Sequence, residues 1–315
     1  MASASRPNPE VQAMLATPAV ANRESLFGTE PWDAERTEAI VAELRSAPLT
    51  GPAPFPVHEV WDFEIEGTPV RGYRPSTDPD LPVVVYFHGG GWVFGDLETH
   101  DYPCRAMANA GRCLVLSVDY GLAPEHPFPE PVEECVTVTR WVVEHAASLG
   151  GDPRRVAVAG GSSGGNLAAA VALRARDSGF AELAAQVLVY PPLDATTSLP
   201  SYRENAHGYN LSATEMRFYW AAYHQGEADL HEPLLSPLHA PDLSGLPPTM
   251  ILTAEFDVLR DDGEEFGRRL REHGVEAVVR RYDGQIHGFL GLRAISPDAD
   301  HALLEIGKWL RRRFS

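Results

Sequence analysis

Between residues 81 and 313 the chain alternates six short, apolar, β-rich runs with five longer stretches of helical periodicity, and this rhythm restricts the fold more than any other feature. The runs are Leu81–Phe87, Cys113–Val118, Val156–Ala159, Gln186–Tyr190, Met250–Thr253 and Ala277–Tyr282, and the helical patterns fall at about 99–110, 131–147, 165–178, 261–273 and 299–313. A strand apolar at consecutive positions must be covered on both faces, and helices between strands let those strands run parallel. An α/β fold follows, with a mostly parallel central sheet flanked by helices. Ahead of it, Val57–Ile65 and Val70–Arg74 alternate around Glu66-Gly67-Thr68-Pro69, which predicts an antiparallel hairpin at the sheet edge.

Two regions break the rhythm. Residues 1–50 carry helical patterns at Glu10–Leu15 and Ala34–Arg45, and 195–245 holds the aromatic stretch Thr214–Tyr223 between proline-rich segments. Insertions with structure of their own are more often functional than ornamental, so these two pieces are expected to pack together as a helical cap over one end of the sheet. The division expected is an N-terminal helical cap segment over 1–50 and an α/β domain over 51–315, with a cap insertion at about 195–230.

Composition narrows the function classes. Lys+Arg number 26 against 44 Asp+Glu, a formal net charge of −18, which argues against a nucleic-acid binder that neutralises phosphates. Cys104, Cys113 and Cys135 are too few and too irregular for a disulfide framework or a CxxC metal site. Val11–Val20 is interrupted by Gln12, Thr17 and Pro18, so no secretory signal is visible, and no apolar run approaches a membrane span. The expectation is a cytoplasmic protein.

Chemistry enters at Val156-Ala157-Val158-Ala159, which runs into Gly160-Gly161-Ser162-Ser163-Gly164 and then into the helical Leu167-Ala168-Ala169-Ala170. This is the strand, G-x-S-x-G turn and helix of a nucleophile elbow, in which Ser162 takes a strained conformation that exposes its hydroxyl. The positions two before and two after the serine approach too closely for side chains, and Gly160 and Gly164 meet that need. The segment has neither the Lys-Ser/Thr ending of a P-loop nor the spacing of a dinucleotide site.

Directly after Leu81–Phe87 comes His88-Gly89-Gly90-Gly91-Trp92. Glycines there leave backbone N–H groups free to face an oxygen that gains negative charge, so Gly89, Gly90 and Gly91, with Ser163, are candidate oxyanion donors. His88 and Trp92 read as loop-fixing and packing residues.

A serine nucleophile needs a base, and the base needs a carboxylate that fixes its tautomer. Asp257 lies just past the run Met250–Thr253, and His287 just past Ala277–Tyr282, in the chain order Ser, acid, His. Glu255, Asp261 and Asp262 remain local competitors for the acid. His287 is preferred among the twelve histidines because it alone follows a late strand after the candidate acid.

Taken together, these motifs, with Asp119-Tyr120-Gly121-Leu122-Ala123-Pro124-Glu125-His126-Pro127-Phe128-Pro129, resemble the hormone-sensitive lipase family of α/β-hydrolases, the bacterial family IV esterases, from about residue 55 to 313. The resemblance implies the α/β-hydrolase fold, a triad of Ser162, Asp257 and His287, and oxyanion donors at Gly90, Gly91 and Ser163, with Gly89 a weaker contributor. It further implies a small-molecule ester substrate with a short acyl chain, no cofactor, and in many members a homodimer. Two departures stand out: the family commonly has Asp where this chain has Gly161 and Ala where it has Ser163, and Gly121 replaces the usual Arg. The expected activity is serine carboxylic-ester hydrolysis. The rivals are a specialised acyl-transfer, amide-hydrolysing or cyclase-type enzyme of secondary metabolism, and a non-catalytic ligand-binding protein on the same fold.

Overall fold

A computed structural model describes residues 6–46 and 55–315; the expected boundary at residue 50 lies outside the described residues. Eight strands form one sheet: β1 (Glu59–Ile65), β2 (Thr68–Arg74), β3 (Leu81–Phe87), β4 (Leu114–Val118), β5 (Gly151–Gly161), β6 (Ala185–Val189), β7 (Thr249–Phe256) and β8 (Ala277–Ile286). Their order is β1-β2-β4-β3-β5-β6-β7-β8. The β1–β2 and β2–β4 pairs are antiparallel, and every later pair is parallel. The hairpin turn is tighter than the sequence suggested. Only Glu66 and Gly67 form it, both at positive φ, because a two-residue turn of that kind matches the strand twist; Thr68 and Pro69 already pair within β2.

The helices are α1 (Pro9–Leu15), α2 (Pro18–Ala21), α3 (Ala34–Ser46), α4 (Asp101–Gly111), α5 (Glu130–His145), α6 (Ser163–Ser178), α7 (Ser201–Glu204), α8 (Ala213–His224), α9 (Arg260–Glu272) and α10 (Asp298–Arg313). All seven residues of β3 are buried, and their alternation sorts the layers, since successive side chains face opposite sides of a sheet. Val83, Val85 and Phe87 join Val136 of α5, Leu167 of α6 and Phe266 of α9 on one face. Val84 and Tyr86 join Met107 of α4 and Ile306 of α10 on the other. Each such side chain contributes about 1.5–3 kcal/mol on full burial, which makes the centre of the sheet a rigid platform for whatever sits at its strand ends.

The N-terminal segment and the insertion meet over the carboxyl ends of the strands. Helix α8 opens with a capping box between Ser212 and Glu215, and it buries Met216, Phe218, Tyr219, Trp220 and Tyr223, nearly its whole circumference. A helix apolar all round must be covered on several sides. Phe27 meets Phe218 and Tyr219 edge-on at 5.3 and 5.9 Å, and Trp32 meets Phe218 at 5.4 Å. On the sheet side, Trp92 stacks on Tyr223 at 4.4 Å. Among the described residues no helix is long and apolar enough to cross a membrane.

Candidate active site

Four strand ends converge on one place. Ser162 directly follows β5, Asp257 follows β7, His287 follows β8, and the His88–Trp92 loop follows β3. At Ser162 the backbone adopts φ 55° and ψ −125°, a left-handed conformation that costs about 1–3 kcal/mol and is sustained by tight surroundings. Those surroundings exclude side chains: a Cβ on Gly160 would strike the carbonyl of Gly164, and one on Gly164 would strike that of Phe87. The Ser162 N–H is held by the Val189 carbonyl at 2.9 Å.

The strained turn delivers Ser162 Oγ to 2.9 Å from His287 Nε2, and His287 Nδ1 lies 2.8 Å from Asp257 Oδ2. A carboxylate accepts, so Nδ1 carries the proton and Nε2 presents its lone pair to the serine hydroxyl. The other Asp257 oxygen accepts the Leu259 N–H at 2.9 Å. Its three competitors are engaged elsewhere. Glu255 accepts the Gly284 N–H, Asp261 the Ser201 N–H, and Asp262 the amides of Leu193 and Asp194. Asp262 is buried, and burial raises its carboxyl well above the ordinary range.

Across from the serine, the glycine loop divides. Gly89, expected among the free donors, has its N–H taken by His100 Nε2 at 3.1 Å, a tertiary contact that no local pattern announces. Gly90 (φ 127°) and Gly91 (φ 60°) have no hydrogen-bond partner for their N–H groups among the described residues. A Cβ on Gly91 would fall 2.5 Å from Cγ of Tyr219 on α8. Ser163 is the first residue of α6, where N–H groups lack intrahelical partners and the helix dipole favours negative charge.

Apart from His88, read as a loop-fixing residue, several residues of the site carried no recognisable signal in the sequence. His100, in the segment read as a helix start, also contacts Thr99 Oγ at 3.0 Å through Nδ1. His88 is enclosed, with Nδ1 2.8 Å from the Gly89 carbonyl and its ring stacked 4.3 Å from Tyr120. Burial pushes the His88 imidazole down to about 4 and that of His100 to about 3, the latter helped by His88. From the insertion, Asn205 Nδ2 donates to the Asp257 carbonyl at 2.9 Å and Asn210 Nδ2 to the His287 carbonyl at 3.2 Å. Tyr190 packs its ring 4.7 Å from that of His287. A cavity of about 340 Å³ opens over Ser162 and His287, and its lining includes Arg23 from the N-terminal segment and Leu211, Met216 and Tyr219 from the 195–230 region.

Residues 84–291 match the family model described as the α/β-hydrolase fold. The chain belongs to the α/β-hydrolase family. Within it, the ordered motifs place this α/β-hydrolase in the hormone-sensitive lipase branch, as expected. It is 43% identical over 277 residues to the esterase LipI of Mycobacterium tuberculosis, covering 84% of this chain and 85% of that one. To an arylesterase of Saccharolobus solfataricus it is 43% identical over 244 residues, with 75% and 78% covered. Among solved structures, the hyperthermophilic esterase of the archaeon Pyrobaculum calidifontis superposes with a TM-score of 0.82 at 37% identity, 98% of each chain being covered. An ester-hydrolase from the metagenome of Lake Arreo, complexed with a derivative of bipyridine phosphonate, superposes at 0.87 with 37% identity, covering 98% of this α/β-hydrolase and 99% of that chain.

Proposed function

We propose that the chain is a serine carboxylic-ester hydrolase acting on small esters of short acyl chains through an acyl-enzyme intermediate. The observation that carries the reading is the continuous relay of Ser162, His287 and Asp257 at the floor of a cavity. Ser162 Oγ attacks the ester carbonyl while His287 Nε2 takes its proton, and Asp257 stabilises the imidazolium. The oxyanion faces the amides of Gly90, Gly91 and Ser163. His287 then protonates the departing alcohol, accepts a proton from water, and directs the hydroxide at the acyl carbon, releasing the acid and restoring Ser162. The esterase relatives support this chemistry over acyl transfer, amide hydrolysis or cyclisation, and the complete relay speaks against a purely binding role.

In the same reading, the N-terminal helices and the insertion at about 195–230 form the cap that limits substrate size. A cavity of about 340 Å³ is at the small end of the roughly 300–1,000 Å³ of ligand pockets. The reading also includes a homodimer, for which β8 offers an unpaired sheet edge, and a cytoplasmic setting, with which the three buried free thiols agree.

The deciding experiment is turnover of 4-nitrophenyl esters from acetate to palmitate by the purified chain and by Ser162→Ala. Wild-type kcat/KM is expected to fall beyond about eight carbons as the acyl group outgrows the cavity, and Ser162→Ala should lose on the order of 10⁴ to 10⁶ in rate. A Ser162→Ala protein retaining more than about a tenth of wild-type kcat, a barrier change of about 1.4 kcal/mol, would remove the covalent mechanism.

A further inference from the structure

Gly161, between the elbow glycine and Ser162, is not a glycine for conformational reasons. Its φ lies outside the left-handed region, and a Cβ built on it meets nothing closer than 3.6 Å. What lies around that empty position is chemically specific: Tyr86 Oη at 3.6 Å, and Tyr190 at 3.6 Å to Cε2 and 3.8 Å to Oη. All three residues line the same cavity as Ser162 and His287. The missing side chain therefore leaves a recess beside the nucleophile, faced by two phenol oxygens.

The recess is on the α4 and α10 side of the sheet, because β-strand side chains alternate: Gly160 faces α6, so Gly161 faces away from it. On that side the cavity is also lined by His100, whose ring lies 6.1 Å from that of Tyr86. The Tyr86 hydroxyl has no hydrogen-bond partner among the described residues and opens onto the cavity, while the rest of its side chain is enclosed. A phenol at a cavity wall with no protein partner keeps its O–H free to donate to a ligand oxygen.

The charge of that oxygen can be argued as well. Burial, and for Tyr190 also the nearby Asp257 carboxylate, raises both phenols far above neutral pH, so they remain neutral donors. The atoms nearest the empty position belong to those phenols, with no cation among them, so the recess offers an anion no charge to neutralise it. Resting on the ester-hydrolase reading, we propose that Gly161, Tyr86 and Tyr190 form a specificity recess that selects esters bearing an uncharged oxygen, as hydroxyl, ketone or ether, close to the scissile carbonyl. The oxygen belongs to the acyl or to the alcohol half of the substrate, and paired substrates distinguish the two.

The test compares kcat/KM for matched esters. The acyl pair is 4-nitrophenyl butyrate against 4-nitrophenyl 3-hydroxybutyrate, and the alcohol pair is propyl butyrate against 2-hydroxyethyl butyrate. In one pair the wild type should favour the oxygenated member by about fivefold or more, the worth of one net hydrogen bond. That ratio should approach one in Tyr86→Phe, which deletes only the hydroxyl, and should shrink in Gly161→Ala, whose methyl fills the recess in ordinary contact. A ratio near one in both pairs overturns the proposal, as does a ratio that Tyr86→Phe leaves unchanged. Absence of turnover on every plain ester would instead defeat the ester-hydrolase reading beneath it.

Discussion

The N–H of Gly89 donates to Nε2 of His100 at 3.1 Å. For Nε2 to accept, the ring proton must sit on Nδ1, where Thr99 Oγ receives it, while the Thr99 hydroxyl donates in turn to the Asp96 carbonyl. The first glycine of the loop is thereby fixed, and the two that follow keep their amides free. His100 acts on the site through Gly89, as a positioning residue.

Replacing His100 by Phe should orphan the Gly89 amide and let the loop drift, lowering kcat by about tenfold. Gln at the same position keeps an acceptor and should recover most of the loss. Steady-state kinetics beside thermal melting check this. A fall in melting temperature with unchanged kcat, or equal losses in Phe and Gln variants, would reduce His100 to a packing residue.

The two lowered imidazoles fix the direction of the acid response. His88 and His100 stay neutral in the native protein down to about 4 and about 3, whereas in the unfolded chain each protonates below about 6.5. The unfolded state then binds more protons, so stability is full above about pH 6.5 and declines as pH falls, at up to about 1.4 kcal/mol per pH unit for each histidine. Urea unfolding at pH 7.5, 6 and 5 should show the decline beginning near 6.5. A flat profile to pH 5 would mean that these rings are not held neutral.

Asp257→Asn should lower kcat/KM by about 10⁴ while leaving the fold intact, because an amide at that position no longer fixes the His287 tautomer. Glu255→Gln and Asp261→Asn should stay within about tenfold of wild type, roughly 1.4 kcal/mol in barrier at most, since their carboxylates hold backbone amides away from the imidazole. Kinetics with circular dichroism on all three variants decide it, and a folded Asp261→Asn protein more impaired than Asp257→Asn would reassign the acid.

Glu215 joins the N-terminal segment to α8: Oε1 accepts from Arg23 Nε at 2.7 Å and Oε2 from the Ser212 N–H at 2.8 Å. The carboxylate is buried and the guanidinium partly exposed. Arg23→Met strands the buried carboxylate and should destabilise by about 2–4 kcal/mol, whereas Glu215→Ala leaves a guanidinium that water can solvate and should cost less, about 1–2 kcal/mol, including the lost capping bond. Denaturant unfolding of both single variants and the double measures the coupling. Strictly additive losses would show that the pair does not bind the N-terminal segment to α8.

What the sequence determined by itself was local. The alternation of apolar runs and helical patterns specified the parallel sheet because strand and helix periods are set within a few residues. Glycines at 160 and 164 around Ser162 specified the elbow because only their absence of side chains permits that turn. The same locality explains why Ser162 and His287, each just past a strand, could be placed at the strand ends from sequence.

The tertiary structure decided everything that depends on which distant groups meet. Asp257, rather than Glu255, Asp261 or Asp262, faces His287 because β7 and β8 are neighbours and their loops leave the sheet side by side. Asn205 and Asn210 brace those loops from an irregular insertion that has no period to read. Gly89 lost its free amide to His100, and Gly161 gained two phenols as neighbours, through packing between separate elements. Short-range preferences select the elements and turns, but hydrogen-bond partners and cavities arise only when the sheet brings remote strand ends within a few ångströms of one another.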